Sequence, residues 1–202
     1  MRQAVKVMLC AAQLAAMAPA AIADQFDNGM AAARAHDYAT AVQIWRPLAS
    51  EGSSEAQNAM GVMYDNGFGV VQDHAAAATW FQRSADQGNS SGEFNIALAY
   101  DYGRGVTKSP TMAAFWYRRA ADQGVPGAQL ALGVMYASGG ALPKDGMQAY
   151  LWLTLAANRF APKTTEHETA LKFRGQVAVT LSTEQVAEAE RLADEWQPKP
   201  AQ

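Results

Sequence analysis

The sequence predicts an all-α protein in the form of an α-solenoid, a stack of antiparallel helix pairs. A pattern recurs every 36 residues, as Trp80, Trp116 and Trp152 show, and a fixed period of this size is typical of stacked helical repeats. Residues that begin helices and residues that end them keep the same spacing. Half of the residues are apolar and only 17% are charged. Such an alanine-rich composition suits closely packed helices.

The first residues have the pattern of a secretory signal peptide. Arg2 and Lys6 are positive, residues 7–17 are apolar, and Ala21-Ile22-Ala23 is a small-x-small cleavage site. We therefore expect export to the periplasm of a Gram-negative bacterium, or secretion, after cleavage near Ala23-Asp24. The alternative is an uncleaved N-terminal helix.

Removal of this segment changes what the chain can bind. The formal net charge falls from −3 to −5, because the segment carries Arg2 and Lys6 and no acidic residue. A mildly acidic protein has no electrostatic basis for binding nucleic acid or anionic membranes. Cys10 is the one cysteine, so the mature chain has none for a disulfide, a thiolate metal site or a nucleophile.

A helix pair is predicted before the clear repeats. Helices are expected over 26–34 and 38–50, and Asp37 is placed to cap the second of them. Trp45 and Gly52 stand near the end of this pair, where later units also carry a tryptophan followed by a glycine.

Each clear unit reads as two helices, A and B. In the first unit, helix A is predicted over 55–66 and helix B over 74–87. Gly88 and Gly124 follow helix B, where a left-handed residue ends a helix at low conformational cost. The equivalent glycines after helix A are Gly67, Gly103 and Gly139.

The start of helix B has its own signal. Asp73, Ser109 and Asp145 are 36 residues apart, and all three are favourable N-caps. Pro110 follows Ser109, where proline suits the first helical position. Three caps in register predict that every helix B begins at the equivalent residue.

Helix A carries a small residue at one repeated position. Gly61 and Gly133 each lower helix propensity by about 1 kcal/mol relative to alanine, which indicates close approach of a neighbouring helix. Ala97 stands at this position in the middle unit. Three residues further on, a repeated tyrosine shares the same face and is expected in the core. These tyrosines are Tyr64, Tyr100 and Tyr136.

Two more helices are predicted after the third unit, each from a capping box. The boxes are Thr165-x-x-Glu168 and Ser182-x-x-Gln185. The last helix has an apolar stripe and a charged outer face, which suits a cap over the end of a solenoid. The predicted organisation is a signal peptide over 1–23, a helix pair over 24–52, three repeats over 53–160, capping helices over 161–196 and a tail over 197–202.

These motifs resemble the Sel-1-like repeat family, a group related to tetratricopeptide repeats. The family pattern is A-Q-x-x-L-G-x-M-Y-x-x-G-x-G-V, then D, then A-x-x-W and A-x-Q-G. The resemblance covers about 53–160 directly, and it implies a right-handed superhelix. The first unit matches at Ala56, Gln57, Gly61, Met63, Tyr64, Gly67, Gly69, Val70, Asp73, Trp80, Ala85, Gln87 and Gly88.

Two units depart from the family pattern. The middle unit has Gly92 and Glu93 in place of Ala-Gln, and Ala99 where methionine is usual. The third unit continues Gly139-Gly140-Ala141 and loses the second loop glycine. It ends in 158–160 without the Gln-Gly pair, as a transition into the C-terminal cap.

The resemblance implies an adaptor that binds a protein or peptide partner on the concave face of the solenoid, in envelope assembly or signalling. It implies no enzyme activity, cofactor or metal. In tetratricopeptide relatives the ligand-facing positions come mainly from helix A. Carried onto this chain, they are Asn58, Val62, Asp65, Asn66, Phe94, Leu98, Asp101, Tyr102, Leu130, Val134, Ala137 and Ser138.

The middle unit suggests a more specific hypothesis for this face. Phe94, Leu98 and Tyr102 are spaced to lie on one face of a helix, and Asp65 and Asp101 stand at equivalent positions of adjacent units. Such an aromatic strip between two carboxylates would suit a segment with apolar and basic residues. The alternative is that Phe94 and Leu98 pack against neighbouring helices, and the sequence leaves both open.

Several motifs resemble catalytic signals, and the repeat explains them. Gly88-Asn89-Ser90-Ser91-Gly92 matches G-x-S-x-G, but that motif needs a strand-to-helix turn, and here it falls between helices. The glycine loops lack a third glycine and a preceding strand. The histidines read as isolated residues at helix ends. The alternative functions are a weak envelope hydrolase acting on β-lactam or peptidoglycan, and passive glycan binding.

Overall fold

The computed structural model describes the backbone of residues 19–200 and the side chains of residues 24–200. The predicted signal peptide, 1–23, falls almost wholly outside the described residues and stays a prediction. The first helix begins at Pro19, earlier than the predicted start at Phe26. The described residues contain no strand.

Ten helices make up this part of the chain. Each helix from the first to the eighth contacts the next along the chain, and the tenth packs against the eighth. This succession of neighbouring helices is an α-solenoid, as the sequence predicts. The helices are α1 (Pro19–Arg34), α2 (Tyr38–Ser50), α3 (Ser54–Asn66), α4 (His74–Asp86), α5 (Ser90–Tyr102), α6 (Pro110–Asp122), α7 (Pro126–Ser138), α8 (Gly146–Arg159), α9 (Thr165–Ala178) and α10 (Thr183–Glu195).

The predicted N-caps begin α4, α6 and α8. Asp73 accepts hydrogen bonds from two backbone amides of the first turn of α4. Ser109 and Asp145 each accept one, at 3.3 and 3.0 Å. Asp37 caps α2 in the same way, and Pro110 is the first residue of α6. These caps confirm the helix starts, because each satisfies a backbone donor that the helix leaves open.

The glycines after helix A confirm the prediction in two units and correct it in the third. Gly67 and Gly103 are left-handed, with φ of 72° and 71°. Gly139 also has a positive φ, 77°, but its ψ of −169° is extended. The third loop also lacks the second glycine of the other two. In the second loop this residue is Gly105, which must be glycine because a Cβ there would overlap the His74 carbonyl. The third loop has Ala141 at that position and therefore follows another path.

The small residues of helix A allow the close approach that the sequence predicts. A Cβ added at Gly61 would meet the Phe81 ring, and one at Gly133 would meet Leu153. Ala97, at the same position in α5, is fully buried. The three tyrosines that follow these residues are partly buried against the core clusters. The core therefore lies between A and B helices along the stack, as a row of neighbouring apolar clusters.

The C-terminal cap differs in one detail from the prediction. Ser182 and Gln185 form the predicted capping box of α10. The N-cap of α9 is Thr164, whose hydroxyl accepts from the His167 amide, so the box predicted at Thr165 is wrong by one residue. Thr164 has the extended backbone that an N-cap requires, whereas Thr165 is already helical.

Candidate partner-binding face

The A helices approach one another on one side of the stack. α3 contacts α5 directly, and α7 contacts α9. All of the predicted partner-binding residues lie on α3, α5 and α7, and none of them is fully buried. This side is called the A-helix face below. Whether a partner binds there stays a prediction.

In the first repeat this face is held by polar contacts between neighbouring helices. The Asn95 amide donates to Asn58 Oδ1 at 2.8 Å and so links α5 to α3. The Asn66 amide donates to the Val62 carbonyl within α3, and Val62 packs against both neighbouring core clusters. Asn95 was not singled out in the sequence, because it stands one residue beyond the position equivalent to Asn58.

Asp65 is paired within the fold. Its Oδ1 lies 2.8 Å from His74 Nδ1, and its Oδ2 lies 3.3 Å from an Arg104 guanidinium nitrogen. Arg104 belongs to the loop after α5, so this cluster links the first repeat to the second. The interpretation of His74 as an isolated histidine is therefore wrong. The charge of Asp65 is also partly balanced before any partner arrives.

Asp101 likewise has an internal partner. Its Oδ2 accepts from the Tyr117 hydroxyl at 3.3 Å. Burial raises the pKa of Tyr117 well above its usual range, and the neighbouring carboxylate adds to the shift, so the phenol stays protonated and donates. The two carboxylates of the sequence hypothesis thus contribute to contacts between helices of the same chain.

The aromatic strip on α5 is divided between packing and exposure. Phe94 and Leu98 are partly buried against the main core cluster. The Phe94 ring lies 6.0 Å from the Tyr117 ring and fills the space that a Cβ at Gly127 would need. Tyr102 keeps 66% of its surface exposed. Phe94 thus joins adjacent repeats, and Tyr102 is the member of the strip most available to a partner.

The third repeat opens into an apolar cavity of about 260 Å³. Val134, Ala137 and Ser138, which are among the predicted partner-binding residues, line it. Leu130 packs one turn earlier, against the core. The remaining lining residues come from the loop before α8 and its first residue, and from α9 and the turn after it: Lys144, Gly146, Phe173, Gln176, Val177 and Thr180.

The α9 wall of this cavity was missed in the sequence, where that helix reads only as a cap. Phe173 and Val177 are spaced one turn apart on α9, and this i, i+4 spacing was the available signal. The cavity is therefore formed by a repeat and its cap together.

A buried polar network crosses the middle of the stack. Glu93 is fully buried; its carboxylate accepts from Arg119 Nε at 2.7 Å and from the Gln123 amide at 2.8 Å. Burial raises the pKa of this carboxyl, and the two donors partly oppose that shift. Gln57 and Gln129 occupy the equivalent sites and donate to the Ala49 and Ala121 carbonyls.

The features that resembled catalytic signals have structural places. Ser90 is the first residue of α5, which Asn89 caps, so there is no strand-to-helix turn at this serine. Among residues 24–200, no group of three or more His, Cys, Asp or Glu side chains could hold a metal ion. None of the described helices is long and apolar enough to cross a membrane.

The fold and its register define a solenoid of helical hairpin repeats. The model of the Sel1 repeat matches residues 54–89, 90–125 and 126–159, more than half of the chain. The chain therefore belongs to the Sel1 repeat family. Proteins built from these repeats generally mediate contacts between proteins.

Two solved structures are similar over most of this chain. A Sel1 repeat protein from Oxalobacter formigenes is 25% identical with a TM-score of 0.72, and the match covers 85% of this chain and 68% of the other. A protective antigen present in uropathogenic Escherichia coli strains, which displays an SLR fold, is 25% identical with a TM-score of 0.58. That match covers 87% of this chain and 45% of the antigen. A search of curated proteins finds no match.

Proposed function

We propose that this protein is an exported scaffold that binds a segment of a protein partner on its A-helix face. The cavity between α7, α8 and α9 is the observation that carries the proposal. Its volume of about 260 Å³ and its apolar walls suit one large apolar side chain. The remaining contacts of the segment would follow the A helices towards Tyr102.

The charge at the cavity indicates which segments fit. Lys144 lines the rim and forms no salt bridge within the described residues. Gly146, the first residue of α8, lies beside it, so the positive end of the helix dipole is near. A partner segment with an apolar residue beside an acidic residue would match both the apolar walls of the cavity and its positive rim. This differs from the basic segment expected from the sequence, because Asp65 and Asp101 are already engaged.

The proposed location rests on the N-terminal sequence. A positive start, an apolar stretch and a small-x-small site over 1–23 are the parts of a signal peptide. Cell fractionation with N-terminal sequencing tests export directly. A mature protein beginning near Asp24 in the periplasm or medium is expected, and an intact Met1 in whole cells would refute it.

Photo-crosslinking tests the binding face in living cells. A photoreactive amino acid at Ser138, on the cavity wall, should crosslink to one partner that mass spectrometry identifies. Adding Val134→Asp should remove the crosslink, because a carboxylate would enter the apolar cavity. Val179→Asp is the matched control, since Val179 is 85% exposed and lies outside the cavity lining.

The crosslinking results for the two variants distinguish binding in the cavity from binding elsewhere. Loss of the crosslink with Val134→Asp alone, with helical circular dichroism unchanged, supports the proposed site. A crosslink that survives Val134→Asp, or that both substitutions remove equally, would show that the cavity does not hold the partner.

A further inference from the structure

The capping helix α10 covers one particular strip of α8. α7, α9 and α10 all contact α8, and every residue from Ala149 to Ala157 is buried. The strip of α8 around Leu151, which is only 8% exposed, belongs to the same apolar cluster as Ala193 of α10. A B helix of this stack therefore accepts a further helix besides its two neighbours along the chain.

The first two turns of the equivalent strip of α6 are bare, whereas Lys199 of the C-terminal tail contacts Asp122 at the end of this helix. Phe115 stands 36 residues before Leu151 and is 50% exposed, and Met112 on the preceding turn is 38% exposed. In the repeat before, Thr79 holds this register position and lines an open cavity of about 290 Å³. The register position of Leu151, buried in the third repeat, is thus half exposed and apolar in the second.

The composition of α10 shows what kind of helix fits such a strip. Ala189 and Ala193 are buried against α8, so small residues let the two helices approach closely. Glu190 accepts from the Tyr150 hydroxyl at 2.9 Å, and Asp194 is exposed on the same helix. The covering helix therefore combines a small apolar stripe with acidic flanks.

The charges near the bare strip complement those flanks. Arg118 follows Phe115 by one turn, and its guanidinium lies 5.0 Å from the Trp152 ring centre and bonds the Tyr136 hydroxyl. Arg83 on α4, at the register position of Arg119, lies over the Trp80 ring at 4.8 Å. Neither arginine forms a salt bridge within the described residues, so both can meet carboxylates of a partner.

We propose that the strip of α6 formed by Met112 and Phe115 is a second docking surface. Its occupant is an amphipathic helix of a partner protein, with a small apolar stripe and acidic flanks, lying on α6 as α10 lies on α8. This surface is separate from the cavity of the A-helix face. The proposal depends on the comparison of equivalent positions in the repeats and not on the function proposed above.

The probe is a labelled peptide of residues 182–198, the α10 sequence, with blocked ends. Fluorescence anisotropy measures its binding to the chain from Asp24 onward. Saturable binding is expected, weakened about tenfold by Phe115→Ser, the size of a central apolar contact at an interface. Exchange of Glu190 and Asp194 for lysine in the peptide should also weaken binding, and added salt should reduce that difference.

Matched controls locate the contact. Val71→Ser changes an exposed valine on the loop before α4 and should leave binding unchanged. Val134→Asp, in the other cavity, should also have no effect, so this proposal and the function proposed above can fail separately. Absence of saturable binding would overturn the proposal.

Two further results would also overturn it. Binding that is unaffected by Phe115→Ser would mean that the peptide only displaces the chain's own α10 from α8. Dimers of the chain that sedimentation detects, and that Phe115→Ser abolishes, would assign this strip to a second copy.

Discussion

The buried Glu93 offers a sharp test of how the repeat register controls stability. The perturbation is Glu93→Gln compared with Glu93→Ala. In the first repeat Gln57 donates to the Ala49 carbonyl and accepts from the Gln87 amide at 2.7 Å. A glutamine in place of Glu93 has the same two options, since Ala85 and Gln123 stand at the equivalent positions.

The magnitude follows from the contacts that each change removes. Glu93→Ala removes a fully buried carboxylate and both of its hydrogen bonds, and breaking a buried ion pair costs about 3–5 kcal/mol. The Arg119 side chain keeps 26% exposure, so water can solvate part of it, and about 3 kcal/mol is expected. Glu93→Gln retains an acceptor and adds a donor, so its change should stay within about 1 kcal/mol.

Thermal unfolding followed by circular dichroism at pH 7 measures the difference. For a chain of this length about 1 kcal/mol shifts the midpoint by roughly 2–4 °C. We therefore expect a fall of about 6–12 °C for Glu93→Ala and less than about 4 °C for Glu93→Gln. Equal losses for the two variants would refute the reasoning, because the register would then not supply the partners for glutamine.

The pH dependence adds a second readout. Burial raises the pKa of Glu93, so the folded state holds this proton more tightly than the unfolded state. The stabilisation from that proton is present at low pH and is lost as pH rises from about 4.3, the ordinary glutamate value, through the raised pKa. The stability of Glu93→Gln relative to the natural protein should therefore increase across this window, and a constant difference would contradict it.

Three further substitutions test local features by urea unfolding. Gly105→Ala should destabilise by about 1–3 kcal/mol from its backbone conformation alone, with φ at +72° and a Cβ overlapping the His74 carbonyl; an unchanged midpoint would contradict the tight inter-repeat contact. Gly175→Ala, in an open part of α9, should stabilise by about 1 kcal/mol through helix propensity, and a loss would mean that the site is crowded. Ser182→Ala should cost about 1 kcal/mol by removing the α10 cap, and no loss would show that α10 does not need it.

The helices themselves were largely predictable because their signals are local. Asp73, Ser109 and Asp145 cap from within three residues of the amides that they satisfy. The one error in the caps arose where two threonines are adjacent. Composition alone does not show which of Thr164 and Thr165 has the extended backbone, because the preceding chain path decides it.

The candidate site was less predictable because its contacts join distant parts of the chain. The repeat register placed Val134 and Ser138 on α7, but the cavity wall formed by Phe173 and Val177 depends on how α9 packs. Asp65 was expected to face a ligand, yet Arg104, 39 positions further along, is its partner. No spacing rule within one helix contains that information.

By itself, the sequence determined the all-α class, the 36-residue unit, most of the helix boundaries and the family, since each depends on periodicity or on short-range hydrogen bonding. Only the tertiary structure decided that Phe94 packs into the next repeat, that α10 covers α8, and that α7 and α9 enclose a cavity. The physical reason is the distance along the chain over which each interaction acts. A cap or a glycine acts within one turn of backbone, whereas burial depends on which distant side chain fills the same space.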